Sequence, residues 1–488
     1  MQKQFFSSLF LTVFLNLLIK PIAIFAIDAT VQNRVGQAEY GLYFTLLNLT
    51  VIFNIFLDFG INNYTTKMIA QNPLQTGAYF GNLMAFRFVL FVLYCIVVFS
   101  IAFLLGYQWR EFYLLFFLVF NQLLILSIAF FRSHFSGLHL FKIDAIISVL
   151  DKALLIVLAG AILIVLKGNF NKIDWFVYTQ TGCYFATFVI AVFLLRKKIN
   201  GPLLRWSPVS SLLIIKKSFP YALLVLLMLL YSRSDAVLLE RLHENGRLEA
   251  GYYAQGYKWL DAFYMFGMIF ASLLFPMFSR LLKEAPKEVV VLLKTSGNLL
   301  IGGAIVIVAI TTFNAEWLLA LIYTNVNESS IFSFCLLMIC FIPISMNFIF
   351  GTLLTANGSL KTLNIISFIG VVINVSINSC LLPTLGAKGA AISALITHCF
   401  VASIQFYFAS RIISFRIILN DFIRYLLLIG ILICSGLVTI YFILPHTLIV
   451  LLQLFLGGTL LVVLSFIDVK QLKTISFFKQ LNNNSPNS

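Results

Sequence analysis

No stretch of this chain is polar enough to make a soluble domain, and charge is scarce. Charged residues are 10% of the 488, where water-soluble domains carry about a quarter. That shortage excludes water as the solvent for most of the surface. Catalytic signatures are missing as well. There is no G-x-x-x-x-G-K-[ST] phosphate loop, no G-x-S-x-G elbow and no H-E-x-x-H, and the five histidines (134, 139, 243, 398 and 446) are scattered. The chain is therefore not read as an enzyme, ATP hydrolysis is not expected of it, and no cofactor or metal is. The seven cysteines (95, 183, 335, 340, 380, 399 and 434) contain no C-x-x-C pair and all fall in apolar segments. They form neither a disulfide framework nor a thiolate metal site.

What the chain has instead is apolar length. Hydrophobic residues reach 61%, and about fourteen stretches are long enough to cross hydrocarbon, which takes roughly 20 residues each. The expected fold is an all-α polytopic membrane protein, because helices satisfy their own backbone in lipid and the ten-residue alternation of a barrel strand is missing. The spans are placed at 5–27, 40–61, 78–105, 111–131, 141–166, 175–195, 212–235, 254–278, 289–313, 329–356, 360–382, 387–410, 422–444 and 447–466. The first holds Asn16 and Lys20-Pro21 and lacks an A-x-A site, so it is read as a retained span. If the N-terminus is cytoplasmic, most of the 33 basic residues fall in cytoplasmic breaks, which sets both termini inside. The net charge of +15 is then a consequence of topology beside anionic lipid, and nucleic acid is not an expected partner.

A short polar motif occurs twice. "GQAEYGLY" (36–43) precedes the second span and "GRLEAGYY" (246–253) precedes the eighth, so Gly36, Glu39, Gly41 and Tyr43 match Gly246, Glu249, Gly251 and Tyr253 at one constant offset. A weaker echo links "GLHLFKIDAIIS" (137–148), opening the fifth span, to "GSLKTLNIIS" (358–367), opening the eleventh. The unit repeated is six helices. An even number preserves orientation, so the halves form two parallel six-helix repeats, two lobes around a central cavity, with two extra C-terminal helices. The domains are expected at 1–200, 201–415, 416–470 (two additional spans) and 471–488 (a cytoplasmic tail), with 196–211 as the linker between lobes. The motif itself reads as a helix-start and close-packing device, with Glu near a helix N-terminus and Gly allowing contact.

Ionisable groups at membrane depth cost about 2.5–3.5 kcal/mol each on an insertion scale, so they face protein or water. The basic ones are Lys20, Arg87, Lys152, Arg233 and Lys258, and the acidic ones are Asp58, Asp144, Asp151, Asp235 and Asp261. Three local pairings suggest themselves: Lys258 with Asp261, Asp151 with Lys152, and Arg233 with Asp235. These pairs either neutralise one another or serve ion coupling. Lys20 and Arg87 have no partner nearby in sequence, which makes them the candidates for holding an anion, Arg87 by a bidentate contact and Lys20 as a point charge. Asn374 and Asn378 lie one turn apart, where they either bind a polar substrate or join helices.

Five segments resemble one family: "VGQAEYGLYFTLLNLTVIFNIFLDFGINNYTTKMIA", "YSRSDAVLLERL" followed by "AGYYAQGYKWLDAF", "LLFPMFSRLL", "GTLLTANGSLKTLN" and "NVSINSCLLPTLGAKGAAISALI". They are similar to bacterial polysaccharide-export flippases, the Wzx-like members of the multidrug/oligosaccharidyl-lipid/polysaccharide exporter superfamily. The resemblance implies movement of an undecaprenyl-pyrophosphate-linked oligosaccharide (an O-antigen, capsule or exopolysaccharide unit) across the bacterial inner membrane by alternating access, coupled to an ion gradient. It implies a cationic cavity, which Lys20, Arg87, Arg233 and Lys258 fit by span and depth. Implied partners are the lipid-linked substrate, membrane lipids, and a polysaccharide polymerase and glycosyltransferases. Two alternatives stay open: a cation-coupled multidrug or metabolite exporter of the same superfamily, and a membrane polysaccharide polymerase or ligase, which would need a longer periplasmic loop than any here.

Overall fold

The computed structural model describes residues 2–59, 61–62, 65, 69, 76–165, 172–197, 208–412, 415–441, 445–464 and 466. Among these residues every regular element is a helix. The first eight are α1 (Gln2–Ile22), α2 (Ala29–Val35), α3 (Gln37–Ile52), α4 (Ile55–Asp58), α5 (Thr76–Leu104), α6 (Trp109–Gly137), α7 (Phe141–Val165) and α8 (Asp174–Arg196). They are followed by α9 (Pro208–Leu242), α10 (Gly246–Glu284), α11 (Pro286–Phe313), α12 (Ala315–Ile322) and α13 (Glu328–Met346). The last five are α14 (Thr352–Ala356), α15 (Leu360–Leu385), α16 (Ala387–Ser410), α17 (Phe415–Tyr441) and α18 (His446–Val463). Twelve helices among the described residues are long and apolar enough to cross a membrane, and the chain is a multi-pass membrane protein. Most of the expected linker 196–211 and all of the expected tail 471–488 lie outside the described residues.

Three departures from the expected spans have local causes. The first span does not stop at 27. A π-helical segment, Ala23–Asp28, joins α1 to α2, and the helix runs on to Val35 before Gly36, at φ 85°, turns the chain into α3. The positive φ is one that glycine adopts without penalty. A second π segment, Asn347–Gly351, joins α13 to α14. Each π segment follows a proline, Pro21 and Pro343 respectively. Proline removes one donor from the ladder, and a shifted i→i+5 register is one way the following carbonyls are satisfied. The expected span 40–61 is broken: α3 ends at Ile52, α4 is a single turn, and Phe59 has φ 42°. The break sets Asp58 and Asn62 beside Arg87, as described below. Sequence periodicity also missed α12, which is too short to stand out from the spans on either side.

The chain packs as two compact units. One consists of Met1–Ala262, Leu319–Phe334 and Leu360–Thr397, the other of Phe263–Leu318, Cys335–Ser359 and His398–Ser488. The second unit has an apolar core that includes Phe278, Ile305, Leu353, Ala409 and Leu428. Its polar ties include Asn314 donating to the Gln453 side chain at 2.8 Å. The first unit contains every Lys, Arg and Asp singled out at membrane depth in the sequence. One of its cores, around Phe86, Phe130, Phe131 and Phe135, is rich in phenylalanine, which accounts for part of the high Phe content. Many large apolar side chains point outward, among them Phe88, Phe103, Ile164 and Phe368. In a soluble protein such a surface would aggregate, whereas in lipid it is the solvated face.

Candidate functional site: charges and a duplicated motif in the first unit

The two copies of the glycine motif meet each other. A Cβ on Gly41 of α3 would run into the carbonyl of Arg247 and the amide of Gly251 on α10, and a Cβ on Gly251 would run into the carbonyl of Gln37. The helices cross backbone to backbone, a contact that only the smallest residue permits. Tyr253 and Phe44 pack edge to face beneath the crossing, with Tyr40, Phe44 and Tyr253 fully buried.

The glutamates of the two copies do the same job in each half. Glu39 accepts a hydrogen bond from the backbone N–H of Ile173, just ahead of α8, at 3.4 Å. Glu249 accepts one from the backbone N–H of Ala387, the first residue of α16, at 2.9 Å. Each carboxylate thus serves the start of the corresponding span, the sixth (α8) for the first copy and the twelfth (α16) for the second, where unsatisfied N–H groups and the helix dipole favour negative charge. This shared geometry agrees with the six-helix period expected from the sequence. The motif reading anticipated helix-start chemistry, and the structure places it at a helix distant in sequence.

Further ion pairs surround this end of the spans. Arg110 grips Glu39 with two hydrogen bonds of 2.8 and 2.6 Å and reaches Asp174 at 3.4 Å. Arg247, inside the second motif copy, bridges Glu111 at 2.7 Å and Glu240 at 3.1 Å. Tyr107 donates to Glu240 at 3.3 Å, and the Arg241 guanidinium lies 3.7 Å over its ring. Burial acts to raise the Glu39 carboxyl, but the hydrogen bond and charge of Arg110, the Ile173 amide and the charge of Arg247 outweigh it and hold Glu39 below its ordinary value. None of these residues except Glu39 was singled out in the sequence. The signal available for the others was the cluster of charges in the breaks flanking both copies.

Deeper in the first unit, the charges are paired differently from the local expectation. Lys258 pairs with Asp28 at 2.5 Å, not with Asp261, and both partners are largely buried. Asp28 escaped the sequence reading because the first span was ended one residue too early. Phe25, in the same π segment, packs on Trp259 at 4.7 Å, so ion pair and ring contact together fix this segment against α10. Asp261 instead receives Arg233 through two hydrogen bonds of 2.7 and 3.2 Å, with Asn48 also accepting from Arg233 at 3.4 Å and Tyr257 under the guanidinium. A helical step of three residues puts Lys258 and Asp261 near one face, but long-range partners with better geometry win.

Arg87 does have a partner, one far away in sequence. It pairs with Asp58 at 3.4 Å and donates to Asn62 at 3.1 Å and to the Leu126 carbonyl at 2.8 Å, while lying over the Phe130 ring. It braces the broken second span against α6. Asp144 is held by Arg132 at 2.6 Å, and Asp151 lies 3.6 Å from Lys152, whose ammonium donates to the Tyr184 hydroxyl at 2.7 Å.

Two groups stand apart. Among the described residues the Lys20 side chain on α1 makes no hydrogen bond or ion pair, although Asp151, Lys152 and Arg132 all act on it electrostatically. One turn earlier, Asn16 donates to Ser148 at 2.9 Å, which ties α1 to α7 beside it. Asp235 is the opposite case, a carboxylate that is 1% exposed and has no Lys or Arg paired with it among the described residues. Its oxygens accept from Asn378 at 2.7 Å, Asn374 at 2.9 Å and the Tyr253 hydroxyl at 3.1 Å. Ser234 and Ser393 extend the cluster through Asn374. The expected pairing of Arg233 with Asp235 is therefore replaced by an all-neutral cage contributed by α9, α10 and α15. The asparagine pair one turn apart does join helices, and it does so around a carboxylate.

Comparison with known proteins bears on both fold and family. The family model described as polysaccharide biosynthesis protein matches residues 6–282, more than half of the chain. No curated protein sequence matches. Among solved structures, the lipid II flippase MurJ in an inward closed conformation superposes with a TM-score of 0.68 at 13% identity, covering 96% of this chain and 99% of that one. A transporter of the MOP superfamily from Pyrococcus furiosus, for which a binding pocket of reversed polarity was described, gives a TM-score of 0.57 at 14% identity over 83% of this chain and 94% of its own. The Vibrio cholerae MATE transporter VcmN in its bent form gives 0.55 at 14% identity over 84% and 96%. At these identities the likeness is one of fold.

Proposed function

Because the chain belongs to the polysaccharide biosynthesis protein family, we propose that it is a flippase for an undecaprenyl-pyrophosphate-linked oligosaccharide, an O-antigen, capsule or exopolysaccharide unit. Its substrate passes from the cytoplasmic to the periplasmic leaflet of the bacterial inner membrane, both chain termini being cytoplasmic. A pyrophosphate with several sugars cannot cross hydrocarbon unaided, so the protein supplies cations and hydrogen-bond partners while the prenyl tail stays in lipid. The substrate is carried without covalent change. A polymerase and glycosyltransferases are the partners such a step implies, since they would consume its product and make its substrate.

The observation that carries this reading is Lys20. Among the described residues its ammonium, at membrane depth, pairs with no carboxylate, which is costly unless an anion joins it, and a lipid pyrophosphate is an anion of suitable charge. Asp151, Lys152 and Arg132 act on this ammonium as well, the carboxylate opposing a bound anion and the two cations favouring it. Arg87, Arg233 and Lys258 already have carboxylate partners and serve best as braces whose pairing changes between states.

Alternating access is supported by the duplicated motif. The Gly41–Gly251 crossing and the Arg247 bridge lie at the end of the spans that the Lys and Arg distribution assigns to the periplasm. They act as an outer seal between the proposed lobes, 1–200 and 201–415. Ion coupling falls to Asp235, whose neutral cage accommodates a proton or a small cation in place of a fixed basic partner. Asp235→Asn should fold normally and transport without responding to an imposed ion gradient, measured as flipping rate with and without the gradient.

The reading is tested by reconstitution. Vesicles containing the purified protein should expose a lipid-linked oligosaccharide, presented only on the entry leaflet, to an impermeant lectin on the other side faster than protein-free vesicles do. Failure to do so, with uptake of a lipophilic cation instead, would establish a cation-coupled drug exporter.

A further inference from the structure

We propose that the groove between α9 and α15 is a binding site for one anionic phospholipid of the bilayer. It is separate from the charged clusters described above. The groove has a volume of about 640 Å³ and is lined by Pro220, Leu223 and Leu227 from one helix and by Leu360, Ile365 and Phe368 from the other. Phe368 is 58% exposed and Ile365 51%, so the groove is open at the surface of the two helices and not an enclosed cavity.

Depth comes from position along the spans. The lining residues fall within the first ten residues of the two apolar spans, Ser218–Leu242 and Leu360–Leu385, and the two helices run the same way, since Asn364 donates to the Pro220 carbonyl near one end and Ser234 to Asn374 further along. The helical steps from Phe219 to Leu227 rise about 12 Å, close to one leaflet of a hydrocarbon core roughly 30 Å thick. An acyl chain fits that depth. An undecaprenyl tail is far longer than a leaflet is deep.

Charge complementarity selects the headgroup. Lys216 precedes Pro220, Leu223 and Leu227 at helical steps of four, seven and eleven, so it lies on the groove-facing stripe of α9 just beyond its mouth. Lys361 lines the mouth itself, in the first turn of α15, on the stripe of Asn364, Ile365 and Phe368. Both lysines are exposed. Two ammonium groups therefore stand at the polar end of an apolar channel one leaflet deep, the pattern of a phosphate head above a hydrocarbon tail. The N-terminus of α15 adds its dipole at the same end. The Lys and Arg distribution puts this end at the cytoplasmic leaflet; only the choice of leaflet rests on that orientation, and the proposal stands whatever the protein transports.

The test uses the full chain in vesicles of equal parts phosphatidylglycerol and phosphatidylcholine, with benzoylphenylalanine replacing Phe368 and, in a second protein, the outward-facing Phe185 of α8. Illumination links the probe to its neighbour, which mass spectrometry identifies. At about fivefold per lysine near a headgroup, phosphatidylglycerol should be favoured at 368 by roughly 25-fold over the ratio seen at 185. Lys361→Gln should cut that preference about fivefold. Equal ratios at both positions, or a preference unchanged in Lys361→Gln, would overturn the proposal. So would displacement of phosphatidylglycerol by a small amount of undecaprenyl phosphate, which would give the groove to the substrate tail. Should the probe at 368 prevent folding, native mass spectrometry decides: Leu223→Trp must lose the phosphatidylglycerol that the unaltered chain retains, and equal retention would refute the site.

Discussion

Lys258 and Asp28 show how much a single residue's burial decides. Removing one member of a buried pair leaves the other charge uncompensated, at a cost of about 3–5 kcal/mol, while replacing both by apolar residues of similar size is often neutral. Lys258→Met should therefore lower the thermal unfolding midpoint sharply, and the double variant with Asp28→Leu should recover most of it. Glu39 makes a prediction about pH. Its carboxyl is held below its ordinary value in the folded chain, so its contribution is complete above the unfolded value of about 4.5 and disappears as pH falls through the folded one. Arg110→Ala should remove part of that acid sensitivity, read as a smaller loss of stability between pH 6 and pH 3. At this scale the sequence was informative about which residues matter and poor about whom they meet. Lys20, Arg87, Arg233, Asp235 and Asp261 were all visible as charges in apolar runs. Their partners lie 25 or more residues away in the cases of Arg87 and Arg233, and pairing over such distances is set by tertiary packing that no local spacing rule encodes.

Helices were easier to read than their interruptions. Long apolar runs made α5 to α11 recognisable, since length in lipid leaves the backbone little choice. The π segments at Ala23–Asp28 and Asn347–Gly351 and the break after Ile52 were not visible, although Pro21 and Pro343 marked the neighbourhood of two of them. The crossing of α3 and α10 is the element-scale feature with the clearest test. Gly41→Ala would push a methyl into the backbone of α10 and should destabilise by about 1–3 kcal/mol. Gly303→Ala on α11, where a Cβ meets nothing within 4 Å, should be neutral or slightly stabilising, because alanine is the better helix former. Equal unfolding midpoints for the two variants would show that the crossing is looser than described. The same motif that revealed the duplication in sequence turns out to be the place where its two copies touch, so a repeat in the chain became a contact in the fold.

For the molecule as a whole, the distribution of basic residues and the six-helix period gave the membrane architecture, and the resemblance carried by five sequence segments led to the family that the match over residues 6–282 shows. What could not be read was the allocation of charge. Several cations were expected to share one cavity, whereas most are committed to carboxylates and Lys20 is left without one among the described residues. The central claim is that this lysine receives the anionic headgroup of a lipid-linked oligosaccharide, and one measurement addresses it directly. Flipping of the undecaprenyl-pyrophosphate-linked sugar is compared in vesicles for the unaltered chain, Lys20→Arg and Lys20→Gln at equal protein content. The account predicts that Lys20→Gln lowers the rate at least tenfold, about 1.4 kcal/mol of lost interaction, and that Lys20→Arg restores much of it. A Lys20→Gln protein that flips at the unaltered rate would contradict it.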